Sequence, residues 1–542
     1  MGSRHTSGRE RDPEDVNEGT FHGNDDSDDD YQDYAAVLAY LLRSGTVRFT
    51  SSRNQFESDT DSDSIFTACV PEADQNPDTS KIDESDLKQE FLHFNCCKHN
   101  EKPYARRPIP KMLVKRMHSS QGGFTQADRC EIISSFLPNH MEVLKSFQSK
   151  VFCGTYSKDG TVFMSACQDK FIRLYDTTYG QFKQIRCIPA RDIGWSIIDT
   201  AFSPDGCYLI YSSWSDKIHL CNIYGDYETH TALDLRSEEH SHFCAFTVNF
   251  SNDNREILAG ANDGCIYVYD REKSERILKI DAHEDDLSAV IFADDSSHII
   301  YSGADDGMCK VWDRRCLSEI CPNPVGVFAG HTDGLTYVDS KGDSRYLITN
   351  SKDQTIKLWD MRRFASKETI HLAKKAVAQQ NWDYRFQRVP RRSNRKKNLK
   401  DDPSLMTYKG HAVLQTLVRC YFSPAFTTGQ RYIYTGCASG AVVIYDVLTG
   451  KVVSKLKGHE ACVRDISWHP FDNNIISTSW DATHGFWEYR GQKPYDRDVR
   501  ERELGDSDSD DDSNDEDNDN QKKGTVKKRR LHRLNYCRPS FR

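Results

Sequence analysis

Short runs in which apolar and polar residues alternate, separated by turns of Gly, Asp, Asn and Ser, fill the middle of the chain. Seven of these runs end on an aromatic-acidic pair or a close variant: Ile172 to Asp176, Ile218 to Asn222, Ile266 to Asp270, Val311 to Asp313, Leu358 to Asp360, Val442 to Asp446 and Phe486 to Glu488. They recur at intervals in the low to upper forties, with one gap about twice as long. A fixed period of this length predicts stacked sheet units, each burying its faces against its neighbours. The segment in the long gap, 363–408, has neither a Gly-His nor a strand ending in an aromatic-acidic pair. It is expected to be an insertion between the fifth and sixth units.

Four polar residues recur at matching places within the best-preserved units: His283, Ser302, Asp306 and Trp312; His331, Thr349, Asp353 and Trp359; His459, Ser477, Asp481 and Trp487. An imidazole, a hydroxyl, a carboxylate and an indole N–H are costly to bury alone and tolerable when mutually bonded, so the set is expected to fix each unit in one geometry. Because it recurs in each unit, a catalytic reading of the His, Ser and Asp is set aside. The pattern resembles the WD40 repeat. The fold expected from it is all-β, a seven-bladed WD40 β-propeller over 148–490 with a short N-terminal helical region and disordered acidic and basic tails. Tyr175, Tyr269 and Tyr445 replace the tryptophan in weaker units, and Ser439 replaces the turn aspartate. After Trp487 no fourth strand follows, whereas Met141 to Phe147 has the register of an outer strand and is expected to complete the last blade.

Composition divides the rest of the chain. Residues 1–32 form an acidic leader expected to be disordered. Within 33–49, Tyr34, Val37, Leu38, Leu41 and Leu42 stand at helical spacing and Gly45 can stop the helix. Residues 50–127 are read as a mostly disordered linker, 128–147 as a helix over Asp128 to Asn139 followed by the latch strand, and 491–542 as a tail, acidic then basic. Ser27, Ser507 and Ser509 precede aspartates and are phosphorylation candidates. Lys527, Lys528, Arg529 and Arg530 form a nuclear-import candidate. No run of about 18 apolar residues exists and the first residues lack the apolar core of a secretory signal, so no membrane partner is expected and the location expected is nucleus and cytoplasm.

The 18 cysteines are scattered without a Cys-x-x-Cys pair and read as small buried hydrophobes. Cys96, Cys97 and His99 cluster without a second half at zinc spacing, so no metal or other cofactor is expected. Phosphate-binding loops, His-Glu-x-x-His and Gly-x-Ser-x-Gly elbows are all missing, and nothing suggests an enzyme. In the insertion, Arg385, Arg388, Arg391, Arg392, Arg395, Lys396, Lys397 and Lys400 lie near Trp382, Tyr384 and Phe386, a composition that can bind single-stranded nucleic acid. The net charge of −10 argues against a dominant polyanion role, and such insertions are more often mobile loops or protein-docking elements. An RNA-binding propeller and a nuclear scaffold are the alternatives to the reading that follows.

Two consecutive strands end in Trp312-Asp313-Arg314-Arg315 and Trp359-Asp360-Met361-Arg362, with an arginine two positions after each Trp-Asp. An arginine just past a strand end projects from a propeller's rim, where its planar fork suits an interface. The paired boxes, Ile299 to Arg315 and Tyr346 to Arg362, resemble those of the WD-repeat substrate receptors of cullin-4 RING ubiquitin ligases, which dock on the adaptor damaged-DNA-binding protein one. The resemblance extends to the acidic leader, the helix at 34–44, the basic insertion and the basic tail. It implies adaptor contact through Arg315 and Arg362, with Asp313 and Asp360 holding the strand ends beside Trp312 and Trp359, and through Leu38, Leu41 and Leu42 of the early helix. It further implies cullin-4 and its RING subunit as partners, protein substrates that include stress-response transcription factors, and a receptor that performs no chemistry itself.

Overall fold

The computed structural model describes residues 70–94, 108–119, 122–225, 229–235, 243–387, 389 and 399–491. The early helix with Leu38, Leu41 and Leu42, the candidates Ser27, Ser507, Ser509 and Lys527 to Arg530, the Cys96–His99 cluster and most of the basic run from Arg388 to Lys397 lie outside these residues. No described helix is long and apolar enough to cross a membrane.

Seven four-stranded antiparallel sheets form the seven blades of a propeller. Blade four is typical: Leu287–Phe292, Ile299–Ala304, Met308–Asp313 and Gly326–Ala329 run from the axis outward. Its first three strands are almost wholly buried, because neighbouring blades cover both faces. The His140–Ser146 strand pairs with Thr483–Glu488, setting Met141 opposite Trp487, and is the outer strand of blade seven. Residues some 340 positions apart thus share one sheet, closing the ring without leaving that edge unpaired.

In three blades the polar set is assembled as one relay. Trp487 Nε1 donates to Ser477 Oγ at 2.7 Å, Ser477 Oγ meets His459 Nε2 at 2.6 Å, and His459 Nδ1 meets Asp481 Oδ2 at 2.8 Å. Indole can only donate, so the hydroxyl passes its own proton to Nε2 and Nδ1–H is left for the carboxylate, which assigns the imidazole tautomer. Blade four repeats the relay through Trp312, Ser302, His283 and Asp306, and blade five through Trp359, Thr349, His331 and Asp353, every contact between 2.7 and 2.9 Å. Burial alone would raise these carboxyls, but the histidine hydrogen bonds hold all three down, Asp481 at about 2. In blade six Tyr445 stands in for the tryptophan, and its hydroxyl meets His411 Nδ1 at 2.9 Å while Nε2 reaches Asn350 of blade five at 3.0 Å. Burial pushes His411 down to about 4, keeping it neutral.

Four expectations are corrected. The insertion does not separate blades five and six; it splits blade five, because Met406–Lys409 pairs with Thr355 to Leu358 as that blade's outer strand. An outer strand of four residues with no aromatic-acidic end carries too little pattern to be read from sequence. Nor is the insertion simply a loop. Ser366 caps a helix over Lys367–Ala378, accepting from Thr369 N at 3.2 Å, and Ala373 is buried against Met308 and Ala329. Gly307, at φ +75°, turns beneath it; a Cβ there would lie 2.6 Å from Val377 Cγ2, so the turn needs glycine for conformation and for space.

The third correction concerns 50–127. Helices occupy Ser80–Asp83, Asp86–Phe94 and Ile109–Met117, with Ile82, Leu87, Phe91 and Met112 buried. Ile82, Leu87 and Phe91 join the cluster of Tyr346, Tyr408 and Tyr445 between blades five and six. The next helix covers Gln126–Ser135 rather than Asp128 to Asn139, because Thr125 accepts from Asp128 N at 3.2 Å as its N-cap.

Candidate docking site at the strand ends of blades four and five

Asp313 and Asp360 each end the third strand of a blade, and the chain turns there toward the outer strand. Each carboxylate first fixes its turn: Asp313 Oδ1 accepts from Arg315 N and Asp360 Oδ1 from Arg362 N, both at 3.0 Å. The aromatic residue before each is buried in its relay, so Trp312 and Trp359 belong to the fold and do not face a partner. Both arginine side chains are on the surface, 64% exposed for Arg315 and 66% for Arg362.

From here the two copies diverge. Arg315 folds back on its own carboxylate, Nε to Oδ1 at 2.9 Å and the terminal nitrogen to Oδ2 at 2.7 Å, a bidentate pair. Those hydrogen bonds hold the Asp313 carboxyl at about 2. In blade five the equivalent place beside Asp360 is taken by Arg345, whose Nε and terminal nitrogen lie 3.5 and 3.3 Å from the carboxylate. Arg362 is therefore displaced, and it donates instead to Asp86 Oδ2 at 2.9 Å.

One residue decides between the arrangements. Arg345 directly precedes the second strand of blade five; at the same place in blade four stands His298, whose carbonyl accepts from Arg314 N as that of Arg345 accepts from Met361 N. Only the arginine brings a bidentate fork to the neighbouring carboxylate.

Arg345 also ties down the Asp86–Phe94 helix. It donates to Asp86 at 2.8 Å and to Glu90 at 3.2 Å, and Lys341 lies 3.6 Å from Glu90. Asp86 and Glu90 are one helical turn apart and face the same way, while Leu87 and Phe91, about 100° round the helix, pack into the blade. Arg345, then Arg362, lower the Asp86 pKa. Arg345, Asp86 and Glu90 were missed by sequence reasoning. The signal was the acidic pair at i, i+4 beside an apolar pair at i, i+4, hidden in a stretch rich in Ser and Asp.

On the opposite end of the ring, the insertion is held to the turns of blades four and five. Trp382 Nε1 donates to Asp333 at 3.0 Å, Lys352 Nζ sits 4.4 Å above the Tyr384 ring, and Lys374 pairs with Glu284 at 2.6 Å. Arg385 is engaged by Asp383 at 2.8 Å. Two of the three aromatic residues that could have stacked on bases are thus committed to the protein, and Phe386 remains exposed.

Among known proteins, the WD domain, G-beta repeat family (WD40) matches residues 139–176, 235–270, 274–313, 322–360 and 450–488. The chain is 42% identical over 393 residues to a LEC14B homolog of Prunus armeniaca, covering 70% of this chain and 82% of that one. It is 39% identical over 402 residues to the DDB1- and CUL4-associated factor 11 homolog of Caenorhabditis briggsae, covering 71% and 72%. The corresponding homolog of Caenorhabditis elegans is 42% identical over 381 residues, covering 67% and 66%. The chain belongs to the family of WD-repeat propellers that holds the DDB1- and CUL4-associated factor 11 homologs and the LEC14B proteins.

Proposed function

We propose that this chain is the substrate receptor of a cullin-4 RING ubiquitin ligase, acting in nucleus and cytoplasm. Arg315 and Arg362 dock on the DDB1 adaptor, with the early helix carrying Leu38, Leu41 and Leu42 as a second contact. The observation that carries the reading is the pair of exposed guanidinium groups at equivalent strand ends of consecutive blades, in a chain two of whose relatives, those of Caenorhabditis, are named for association with DDB1 and CUL4. The receptor holds a protein substrate near the charged ubiquitin-conjugating enzyme, and the high effective concentration of substrate lysines replaces any chemistry of its own. Targets such as stress-response transcription factors would then be ubiquitinated and degraded.

Affinity purification of the full chain from cells tests this. Wild type is expected to bring down DDB1 and cullin-4, and a folded Arg315→Ala, Arg362→Ala variant to lose most of both. Wild type that recovers neither contradicts the reading.

A further inference from the structure

The acid that ends a third strand is claimed in one of two ways around the ring. In blades four and seven an arginine two positions further on folds back to it: Arg315 to Asp313 at 2.7 Å, and Arg490 to Glu488 at 2.7 Å. Neither blade has an arginine ahead of its second strand, where His298 and Asn474 stand. In blade six the claim comes from the other side. Arg431 directly precedes the second strand, Tyr432–Gly436, and its Nε donates to Asp446 Oδ2 at 3.1 Å. Blade five has the same arrangement in Arg345 and Asp360.

Register and a ring explain the second mode. Tyr432 stands opposite Asp446 and Tyr346 opposite Asp360, so each arginine starts one residue from the acid's cross-strand partner. Each guanidinium also lies over the tyrosine that follows it, 4.7 Å from the Tyr346 ring and 5.8 Å from that of Tyr432. Blade three shows the need for the ring: Arg255 is followed by Glu256, and it pairs with Glu272 at 3.0 Å instead. Burial pushes the Arg345 pKa down, but hydrogen bonds to Asp360 and Asp86 raise it above its ordinary value. Only blade five sets an arginine-tyrosine pair ahead of its second strand and an arginine two positions after the acid; blade six has Leu448 there.

We propose that Arg345 is a positioning residue for docking: by occupying Asp360 it keeps Arg362 from closing on its own strand-end acid, and so makes Arg362 the leading contact with the adaptor and Arg315 the lesser one. The inference rests on the docking reading above and deepens it. Arg315 must give up a bidentate pair before it can meet a partner's carboxylate or carbonyl, whereas Arg362 gives up one exposed hydrogen bond.

Two measurements on the full chain test it. Phenylglyoxal modifies guanidinium groups and needs no adaptor. Peptide mass spectrometry should find Arg362 modified at least about threefold faster than Arg315 in wild type, and slowed to the Arg315 rate in Arg345→His, which gives blade five the residue of blade four. Titration with purified DDB1 should show Arg345→His binding about 2 to 5 times more weakly than wild type, with Arg362→Ala costing less in that background than in wild type. Adding Asp360→Asn to Arg345→His removes the competing charge and keeps an oxygen to accept from Arg362 N, so it should restore at least about half of the lost affinity. A role confined to tethering the Asp86–Phe94 helix would not be rescued in this way. Equal modification of Arg315 and Arg362 in wild type overturns the proposal. So does unaltered affinity of Arg345→His, or a loss that Asp360→Asn leaves in place. Wild type with the expected modification rates and no affinity for DDB1 contradicts the docking reading while upholding Arg345 as the residue that keeps Arg362 open.

Discussion

Arg362 donates to Asp86 at 2.9 Å, whereas Arg315, its counterpart one blade earlier, closes on its own Asp313. The two arginines thus start from different resting partners. A docking protein must release Arg315 from a bidentate fork and Arg362 from a single exposed hydrogen bond.

Replacing Asp86 by Asn therefore acts on docking more than on folding. Asp86 also receives Arg345, which ties its helix to the blade, but both pairs end on an exposed carboxylate, so the melt should fall only slightly. With its competitor removed, Arg362 should favour the adaptor by a factor of about 2 to 5, the range set by exposed ion pairs. Biolayer interferometry against purified DDB1 reads this directly, and weaker binding would mean that Asp86 belongs to the docking surface.

Phe91→Ala should loosen the Asp86–Phe94 helix from blade five. Phe91 is 5% exposed in the cluster around Tyr346, and its truncation should cost about 3 kcal/mol locally. Hydrogen exchange should speed up across residues 86–91 while the inner strands of blades five and six stay protected. Uniform acceleration would show that the helix is part of the ring's cooperative unit.

Much of the ring was legible because its relays repeat: His, Ser or Thr, Asp and Trp return at spacings that differ by at most one residue, and the structure joins each set through the same three contacts. Met406–Lys409 was not legible, being four residues long after an insertion that hides its blade. The Asp86–Phe94 helix was masked by the Ser- and Asp-rich composition around it. Arg315 and Arg362 were visible as a pair, but their divergence turns on His298 against Arg345, residues outside the motif whose effect depends on a contact across a turn.

Ser477→Ala should be among the more damaging single-atom changes in blade seven. It leaves Trp487 Nε1 without its acceptor and His459 Nε2 without its donor, for a cost of about 3 kcal/mol. Because this blade also holds the His140–Ser146 latch, chemical denaturation should show a lower midpoint and limited proteolysis should cut first near residue 140. An unchanged midpoint would remove the relay from the account of ring closure.

The relay also predicts an acid limb. The Asp481 carboxyl sits at about 2, below its usual 3.8: burial pushes it up, but the hydrogen bonds from His459 and Thr483 outweigh it. Its ionised form is favoured in the folded chain, so the contribution, about 2 kcal/mol, is present above about pH 4 and is lost as pH falls toward 2. Urea titrations should show a shallower loss of stability over that window for Asp481→Asn than for wild type.

The central claim is that the paired arginines bind the adaptor, and isothermal titration of purified DDB1 into the full chain tests it most directly. The Arg315→Ala, Arg362→Ala variant, with an unchanged melt, is predicted to bind at least about a hundredfold more weakly than wild type, as expected for two interface arginines. Affinity equal to that of wild type would contradict the assignment.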